Sequence, residues 1–317
     1  MQKDARTFLT YLKSLPHARS FLQECYKKQG MEEAEATAYK NSERFCYFLE
    51  HGLHYIETGM SSPLSVKPVL FFYGLGHLLK ASLLIKDPEY PPSSKVLAHG
   101  LSTRKRKKQN YSFLQDEVKV QPQGLFTYTG SHLFQLKSSF QKANMDQLLQ
   151  LIPEMAPLYQ WRGERKLLPV GKEGKTTILL DLAAWNAFHL SERKIKRRFA
   201  GFNVTTSEKK GDILHIELES PLPLHQSAPF YFSEEEKTFY MATSPDAEDH
   251  LEEVLIHYMV LYNLSMIARY EVEWWMDVQY MRDTEDYAFI IHFLDITAQK
   301  ITTLIAYWLM NQSTLSH

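Results

Sequence analysis

The segment at 66–85 constrains the fold most, because it is apolar on nearly every side of the helix that it predicts. Its strongly polar interruptions are Lys67, His77 and Lys80. A helix that is hydrophobic all round is buried either in a protein core or in a bilayer. Charged side chains are costly deep in a bilayer. We therefore predict a helix over 66–86 at the centre of a helical bundle, and no membrane partner.

Three further segments, 31–58, 246–281 and 284–311, have apolar residues at steps of three and four, which is the period of one helix face. The last of them has charged residues in its centre, so it is also interpreted as a core helix. Hydrophobic residues make up 44% of the 317-residue chain, which is enough to bury a sizeable core. These segments complete the predicted bundle.

The region between 157 and 245 has a different pattern. Short extended segments are separated by polar, glycine-containing or acidic turns, which predicts β-hairpins. The predicted pairs are 166–170 with 176–182, 199–205 with 213–218, and 230–232 with 238–241. The predicted fold class is therefore α+β, predominantly α, with a small β-hairpin-containing region inserted into a helical bundle.

The predicted organisation has three parts. Residues 1–156 form the amino-terminal part of the bundle, 157–245 form the β-containing insertion, and 246–317 supply long helices that pack back on the bundle. The alternative is two separate domains with a boundary near Pro157. A chain of 317 residues is long enough for either arrangement.

The cysteine content and the amino terminus both predict a cytoplasmic protein. Cys25 and Cys46 lie in predicted helices without a metal-ligand spacing, which is typical of reduced thiols in a reducing compartment. The amino terminus lacks the continuous apolar run of a signal peptide.

One acidic and histidine-containing helix face has the spacing of a metal site. Glu50, His54 and Glu57 lie at i, i+4 and i+7, a spacing that points three ligands to one side. Metal sites in bundles draw on several helices, and no matching pattern occurs elsewhere in the sequence. We therefore prefer a solvated helix face, and we predict no metal and no cofactor.

Charge is distributed unevenly along the chain. Residues 1–200 hold 30 Lys and Arg against 18 Asp and Glu, a net charge of +12. Residues 201–317 hold 6 Lys and Arg against 19 Asp and Glu, a net charge of −13. This asymmetry favours either a charged partner or a protein whose two halves pack together.

Two basic runs are the main candidates for binding nucleic acid, a nucleotide or another anion. They are Arg104, Lys105, Arg106, Lys107 and Lys108 in a loop, and Arg193, Lys194, Lys196, Arg197 and Arg198 at a helix end. Basic side chains bind phosphates, and aromatic residues that follow both runs are suited to stack on bases. The alternative is that both runs are solvated surface.

The adjacent residues Trp274 and Trp275 are candidates for a protein interface. Tryptophan is enriched among the residues that dominate binding energy at interfaces. Neighbouring residues of a helix point about 100° apart, so at most one of the two rings is expected deep in the core.

Four sequence blocks identify a family resemblance. KPVLFFYGLGHLLKASLL at 67–84 is followed by HGL at 99–101, DEVKV at 116–120 and GLF at 124–126. This order resembles the YaaC-like family of Firmicute bacteria, over the whole chain. The family has no settled biochemical activity, so the resemblance adds little about function.

The two central helices are also similar to the bundle of HEPN domains, a group that includes metal-independent ribonucleases. The HEPN ribonuclease motif is an arginine followed, after four to six residues, by a histidine, and Arg44 and His51 match it. The resemblance implies that His51 moves a proton at the ribose 2′-hydroxyl and that Arg44 stabilises the charged phosphorus centre. A second such pair, from a homodimer partner, is then needed. Phe45 departs from the motif, in which a polar residue follows the arginine.

Three functions are consistent with these features. The leading one is a non-enzymatic regulatory protein that binds another protein through helical and charged surfaces, because no set of catalytic residues converges in the sequence. The second is a HEPN-like module that binds RNA or a nucleotide through the two basic runs. The third is a metal-independent ribonuclease that uses Arg44 and His51.

Overall fold

The computed structural model describes residues 2–103, 111–136, 140–186, 191–199, 201–224, 228–243 and 251–313. The chain divides into two compact units. Unit 1 comprises Met1–Met145 and Val254–His317, and unit 2 comprises Asp146–Glu253. The carboxyl-terminal helices therefore belong to the same unit as the amino-terminal helices.

Helices predominate in the described residues. They are α1 (Gln2–Leu12), α2 (Leu15–Lys28), α3 (Ala34–Ser61), α4 (Lys67–Lys86), α5 (Leu125–Leu133), α6 (Met145–Leu149), α7 (Ala156–Trp161), α8 (Leu182–Asn186), α9 (Glu192–Arg198), α10 (Glu253–Tyr270), α11 (Val272–Tyr280) and α12 (Asp286–Met310). The strands are β1 (Leu101–Thr103), β2 (Glu117–Val120), β3 (Lys142–Asn144), β4 (Leu167–Lys172), β5 (Thr177–Asp181), β6 (Val204–Lys210), β7 (Ile213–Leu218), β8 (Phe230–Ser233) and β9 (Thr238–Ala242). The predicted α+β, predominantly α class is confirmed.

Three of the four long helices lie close to their predicted positions. The predictions over 31–58, 66–86 and 284–311 correspond to α3, α4 and α12. The single helix predicted over 246–281 is wrong, because the backbone of Glu271 leaves helical geometry at φ −121° and ψ 50°. α10 therefore ends at Tyr270, and α11 begins at Val272.

α3 and α4 form the centre of unit 1, and glycines allow their backbones to approach closely. A Cβ atom added to Gly52 of α3 would lie 2.9 Å from the carbonyl oxygen of Gly74 in α4. A Cβ atom on Gly59 would lie 2.6 Å from the ring of Phe71. Any larger residue at these positions would push the two helices apart.

α4 and α12 are each long and apolar enough to cross a membrane. In the protein, 67% of the most apolar window of α4 and 56% of that of α12 are buried. α12 also packs against α4 and α1 within unit 1. Burial against other helices is typical of core helices, and the expected absence of a membrane partner stays a prediction.

Two of the sequence blocks, at 99–101 and 124–126, meet at a pair of glycines. Gly100 and Gly124 have φ angles of +79° and +135°, which L side chains rarely adopt. A Cβ atom on Gly124 would lie 2.3 Å from the Cα atom of Gly100. The amide of Leu125 donates to the Ala98 carbonyl at 2.7 Å, so this contact fixes the loop that carries His99 against the start of α5.

Two buried carboxylates anchor the connection between β1 and β2, of which residues 104–110 lie outside the described part. Asp286, in the first turn of α12, accepts hydrogen bonds from the amides of Phe113 and Leu114 at 2.8 and 3.3 Å. Asp116 accepts from Nδ2 of Asn263 in α10 at 2.6 Å. These bonds tie residues 113–116 to the carboxyl-terminal helices.

Unit 2 contains two three-stranded antiparallel sheets, with strand orders β4-β9-β8 and β5-β7-β6. Alternate residues of β5 and β7 are buried, as expected for strands with one face on a core. Side chains from both sheets form one hydrophobic cluster, which includes Leu168, Ile178, Leu214 and Phe230. The sheets therefore share a single core.

Two of the three predicted hairpins are confirmed, and one is wrong. β8 pairs with β9, and β6 pairs with β7, although β6 begins at Val204 and overlaps the predicted segment 199–205 only at its end. β4 and β5 follow each other in sequence but do not pair, since β4 pairs with β9 and β5 pairs with β7. The turn at 173–176 connects two strands of different sheets, an arrangement with the same local sequence pattern as a hairpin.

Candidate functional site

The half-buried face of α4 is the starting point for the candidate site. Most of this helix is buried, whereas Tyr73, His77 and Lys80 are only partly buried. These three residues lie at i, i+4 and i+7, so they share one face of the helix. We call the region around this face the α4 cleft.

α3 forms one wall of the α4 cleft. The ring centroid of His77 lies 4.7 Å from that of His51, 5.7 Å from that of Tyr55 and 6.0 Å from that of Phe48. The cavity on this side has a volume of about 360 Å³, within the size range of small-molecule sites. Its lining residues are Tyr47, Phe48, Glu50, His51, His54 and His77.

His77 is neutral at pH 7 for two physical reasons. Burial lowers its pKa from 6.5 to about 4, and the positive charges of Lys80 and His51 add to this effect. In addition, Nδ1 of His77 is buried without a hydrogen-bond partner among the described residues, so the doubly protonated ring would have an unsatisfied donor. In the neutral ring the proton is therefore on Nε2, and the buried Nδ1 atom is left without one.

Lys80 is a partly buried cation beside this wall. Its Nζ atom lies 5.9 Å from the centroid of the Phe48 ring, at the distance of a cation–π contact. Burial lowers the pKa of Lys80. Within the described ranges, no carboxylate forms an ion pair with it.

A second wall comes from the His99 loop and from α10. The His99 ring lies 4.9 Å from that of Phe72, 5.9 Å from that of Tyr262 and 6.0 Å from that of Tyr73. Burial lowers the pKa of His99, and the charges of Arg269 and Lys80 lower it further. The α4 cleft therefore has basic residues on both sides of the Tyr73, His77 and Lys80 face.

The structure places Arg44 and His51 in different environments. Nη2 of Arg44 donates to the Tyr90 carbonyl at 2.5 Å, and Nη1 donates to Oδ1 of Asn41 at 3.3 Å. His51 instead contacts His77 and Tyr55 in the α4 cleft. Arg44 thus has a structural role at the Tyr90 loop, and the catalytic pairing of Arg44 with His51 stays a prediction.

The acidic and histidine-containing face of α3 has one ion pair. Nε2 of His54 lies 4.0 Å from Oε1 of Glu50. No group of three His, Cys, Asp or Glu residues with the geometry of a metal site occurs in the part of the chain that the structure describes.

The two basic runs differ in what can be described. Arg104, Lys105, Arg106, Lys107 and Lys108 lie outside the described residues. In the second run, Arg193, Lys194, Lys196 and Arg197 are exposed on α9. Lys196 pairs with Glu192 at 2.8 Å, and Arg198 is buried and donates to the Ala242 carbonyl at 2.5 Å. The exposed cations of α9 without a described ion pair are Arg193, Lys194 and Arg197.

The two tryptophans have separate roles. Trp275 is 1% exposed, and its Nε1 donates to the Ser65 carbonyl at 3.0 Å, so its ring belongs to the core of unit 1. Trp274 is half-buried and contacts Tyr111 edge to face, with centroids 4.8 Å apart. Of the two rings, only that of Trp274 is accessible enough to contact a partner. The protein interface itself stays a prediction.

A group of exposed apolar residues, missed in the sequence, lies on either side of Trp274 in the chain. Tyr270, Val272, Tyr280 and Met281 are 68%, 54%, 74% and 68% exposed. We call these four residues the α11 surface. Sequence periodicity could not reveal them, because the break at Glu271 changes which residues of the predicted helix face solvent.

The α4 cleft was also missed, although it had a signal. His77 and Lys80 are visible in the sequence as polar interruptions of an apolar helix. His99 lies in one of the four sequence blocks, but only the folded chain brings it next to Tyr73.

A family model described as YaaC-like Protein matches residues 10–309. This match includes α3, α4, the His99 loop, α10 and α11. Comparisons with curated proteins and with solved structures find no match to the chain. Because the family model covers most of the sequence, the chain belongs to the YaaC-like family.

Proposed function

We propose that this chain is a cytoplasmic, non-enzymatic regulatory protein that binds another protein through the α11 surface. The observation that carries the proposal is the exposure of Tyr270, Val272, Tyr280 and Met281 within twelve consecutive residues. Large exposed apolar patches mark interaction sites, because their exposure to water is unfavourable without a partner. Trp274, half-buried beside them, extends the apolar area.

Charges around the α11 surface define the chemistry of the partner. Glu273 and Asp277 are exposed on α11, and Glu271 is half-buried at its start. Acidic residues outnumber Arg269 and Arg282 in this segment, so the apolar surface is complementary to an apolar partner surface with lysine or arginine at its rim. Such charges accelerate association and select the partner, while the apolar centre supplies most of the affinity.

The test compares two variants of the tagged protein in affinity purification from its own cytoplasm. Tyr280→Ser combined with Met281→Ser should remove a stoichiometric partner that survives nuclease treatment. Tyr39→Ser combined with Met60→Ser, on α3, is the matched control, since these side chains are 67% and 49% exposed. Retention of every partner by the α11 variant would contradict the proposal, as would equal loss from both variants.

A second candidate function, binding of single-stranded RNA, is favoured by α9. Arg193 and Arg197 are exposed at i and i+4, with Lys194 beside them. Cations without a described carboxylate partner lose little on binding phosphates, and they release counterions from the nucleic acid. This candidate function predicts a binding constant that falls steeply with salt.

The RNA test replaces Arg193, Lys194 and Arg197 of α9 with glutamine, which removes three positive charges. Affinity should fall, and the slope of log K against log salt should decrease by about 0.7 for each phosphate that the variant no longer neutralises. The matched control neutralises three exposed residues of unit 1, Arg6, Lys27 and Lys95. A second neutralised variant, with residues 104–108 changed to serine or glutamine, tests the first basic run. Absence of RNA binding to the unaltered protein at low salt would exclude this function.

A further inference from the structure

A second cavity of unit 1 lies between α1, α3 and α12, and none of the functions proposed above uses it. Its volume is about 320 Å³, at the lower end of the size range of small-molecule sites. The lining residues fall within 5–13, 53–60 and 298–303, where they recur at steps of three and four. Each of the three helices therefore turns one face towards the cavity. We call this cavity the α1 groove.

The floor of the α1 groove is apolar. Leu9, Ile56 and Ala298, one from each helix, line it and are 1%, 3% and 3% exposed. Alanine at 298 and also at Ala5 leaves space that larger side chains would fill in a close-packed core. Met60, which is 49% exposed, adds a flexible apolar side chain that adapts to the shape of a ligand. A methylene chain placed in this space exchanges water for van der Waals contacts with the floor.

The charged side chains that line the α1 groove have a positive balance. Arg6 and Lys13 are seven residues apart on the α1 side, so they lie along the same edge, and Glu57 is the carboxylate among the described lining residues. Neither Arg6 nor Lys13 forms an ion pair within the part of the chain that the structure describes. Two cations and one carboxylate leave one positive charge beside an apolar floor.

From this combination we infer that the α1 groove binds the anion of a medium-chain fatty acid. The methylene chain lies on Leu9, Ile56 and Ala298, and the carboxylate contacts Arg6 and Lys13. A single negative charge matches the balance at this edge, and a guanidinium group suits the two oxygens of a carboxylate. The α1 groove shares no residue with the α11 surface or with α9, so the inference is independent of both functions proposed above.

The test is isothermal titration calorimetry of the full chain with decanoate, kept below the concentration at which it forms micelles. Decyltrimethylammonium, which has the same chain and the opposite charge, and acetate, which has only the head group, are titrated in parallel. We expect saturable binding of decanoate that is tighter than that of either comparison probe. Affinity should rise from octanoate to decanoate by up to about fourfold for each methylene group that enters the groove.

The charge contacts are tested with Arg6→Gln combined with Lys13→Gln. This variant should bind decanoate about tenfold more weakly or worse, because it loses charge-assisted hydrogen bonds. The matched control, Lys27→Gln combined with Lys95→Gln, removes the same charge at two exposed positions outside the groove. The control should bind decanoate like the unaltered protein.

The apolar contacts are tested with Ala298→Leu, which fills the floor and should weaken decanoate binding about tenfold or more. Ala288→Leu, at an exposed position of the same helix, is its control and should leave the affinity unchanged. Circular dichroism checks that each variant is folded. If Ala298→Leu does not fold, the charge variant decides, since both of its positions are outside the buried core.

Three results would overturn the inference. The first is no saturable heat of binding for decanoate. The second is an affinity for decyltrimethylammonium that equals the affinity for decanoate, because the cations would then have no part in binding. The third is equal affinity for decanoate in the unaltered protein and in the folded Arg6 and Lys13 variant.

Discussion

The partly buried His77 makes the stability of this protein sensitive to mild acid. The folded protein holds the pKa of His77 at about 4, below its ordinary value of 6.5. As pH falls below 6.5, the unfolded chain binds a proton before the folded protein does. His77 therefore contributes stability that is complete above pH 6.5 and is lost as pH falls towards about 4.

This effect is measurable with His77→Gln, which removes the titrating group and keeps a polar side chain. Between pH 6.5 and about 4, the urea midpoint of the unaltered protein should fall more steeply than that of the variant. His99 has a shift of the same sign and remains in both proteins. His17→Gln, at an exposed position, should follow the unaltered protein. If the urea midpoint fell equally steeply with pH in the unaltered protein and in both variants, His77 would not be held neutral.

Asp286 is the residue whose loss should destabilise unit 1 most directly. It is 1% exposed and accepts from two backbone amides and from Oγ of Ser112. Asp286→Asn directs an amide group at these donors, so we expect a loss of about 2–3 kcal/mol in the free energy of unfolding. Chemical denaturation checks this value. Asp283→Asn, at an exposed position, should change stability by less than about 0.5 kcal/mol.

Some residues of the α4 cleft could be recognised in the sequence, but the contacts between them could not be predicted from it. His77 and Lys80 are recognisable because they interrupt an apolar helix, and His51 is recognisable for a different reason, its spacing from Arg44. The contacts of His99 with Tyr73 and Tyr262 depend on the close approach of Gly100 and Gly124, which joins parts of the chain that are far apart. Such contacts have no local sequence signal.

At the scale of elements, the pairing of α3 with α4 depends on backbone contact at glycine. Gly52→Ala should destabilise the protein by about 1–3 kcal/mol, because the new methyl group meets the Gly74 carbonyl and Leu78. Gly76→Ala on α4 is the matched control, since its nearest neighbour is Cδ2 of Leu125 at 3.8 Å.

Gly76→Ala should leave the free energy of unfolding unchanged or raise it by up to about 1 kcal/mol, because alanine is a better helix former than glycine. Thermal and urea denaturation distinguish the two variants. Equal stability of Gly52→Ala and Gly76→Ala would contradict the close approach of the helices.

Three of the long helices and the β6–β7 and β8–β9 hairpins were predictable from sequence, whereas the pairing of β4 and β5 was not. α3, α4 and α12 follow from local periodicity, because a helix makes its hydrogen bonds within the segment. β4 and β5 are recognisable as strands, but their partners β9 and β7 lie further along the chain. A turn sequence reports only that the chain reverses, and it does not say in which sheet the next strand lies.

At the scale of the whole molecule, each unit has its own set of buried residues. Leu214 of β7 is completely buried in the core of unit 2. Leu214→Ala should lower the stability of unit 2 by about 2–5 kcal/mol. Hydrogen exchange measured by mass spectrometry should show faster exchange in β4 to β9 and little change in α3 and α4. Equal acceleration throughout the chain would show that the two units unfold as one.

The insertion of unit 2 between β3 and α10 has a consequence for synthesis on the ribosome. α1 and α4 leave the ribosome before unit 2, but α12, which packs against both, leaves after it. At roughly 5–20 residues per second, unit 2 takes about 5 to 20 seconds to translate. During that interval the apolar α4 has no carboxyl-terminal partner, so the nascent chain is expected to depend on a chaperone until the last helix emerges.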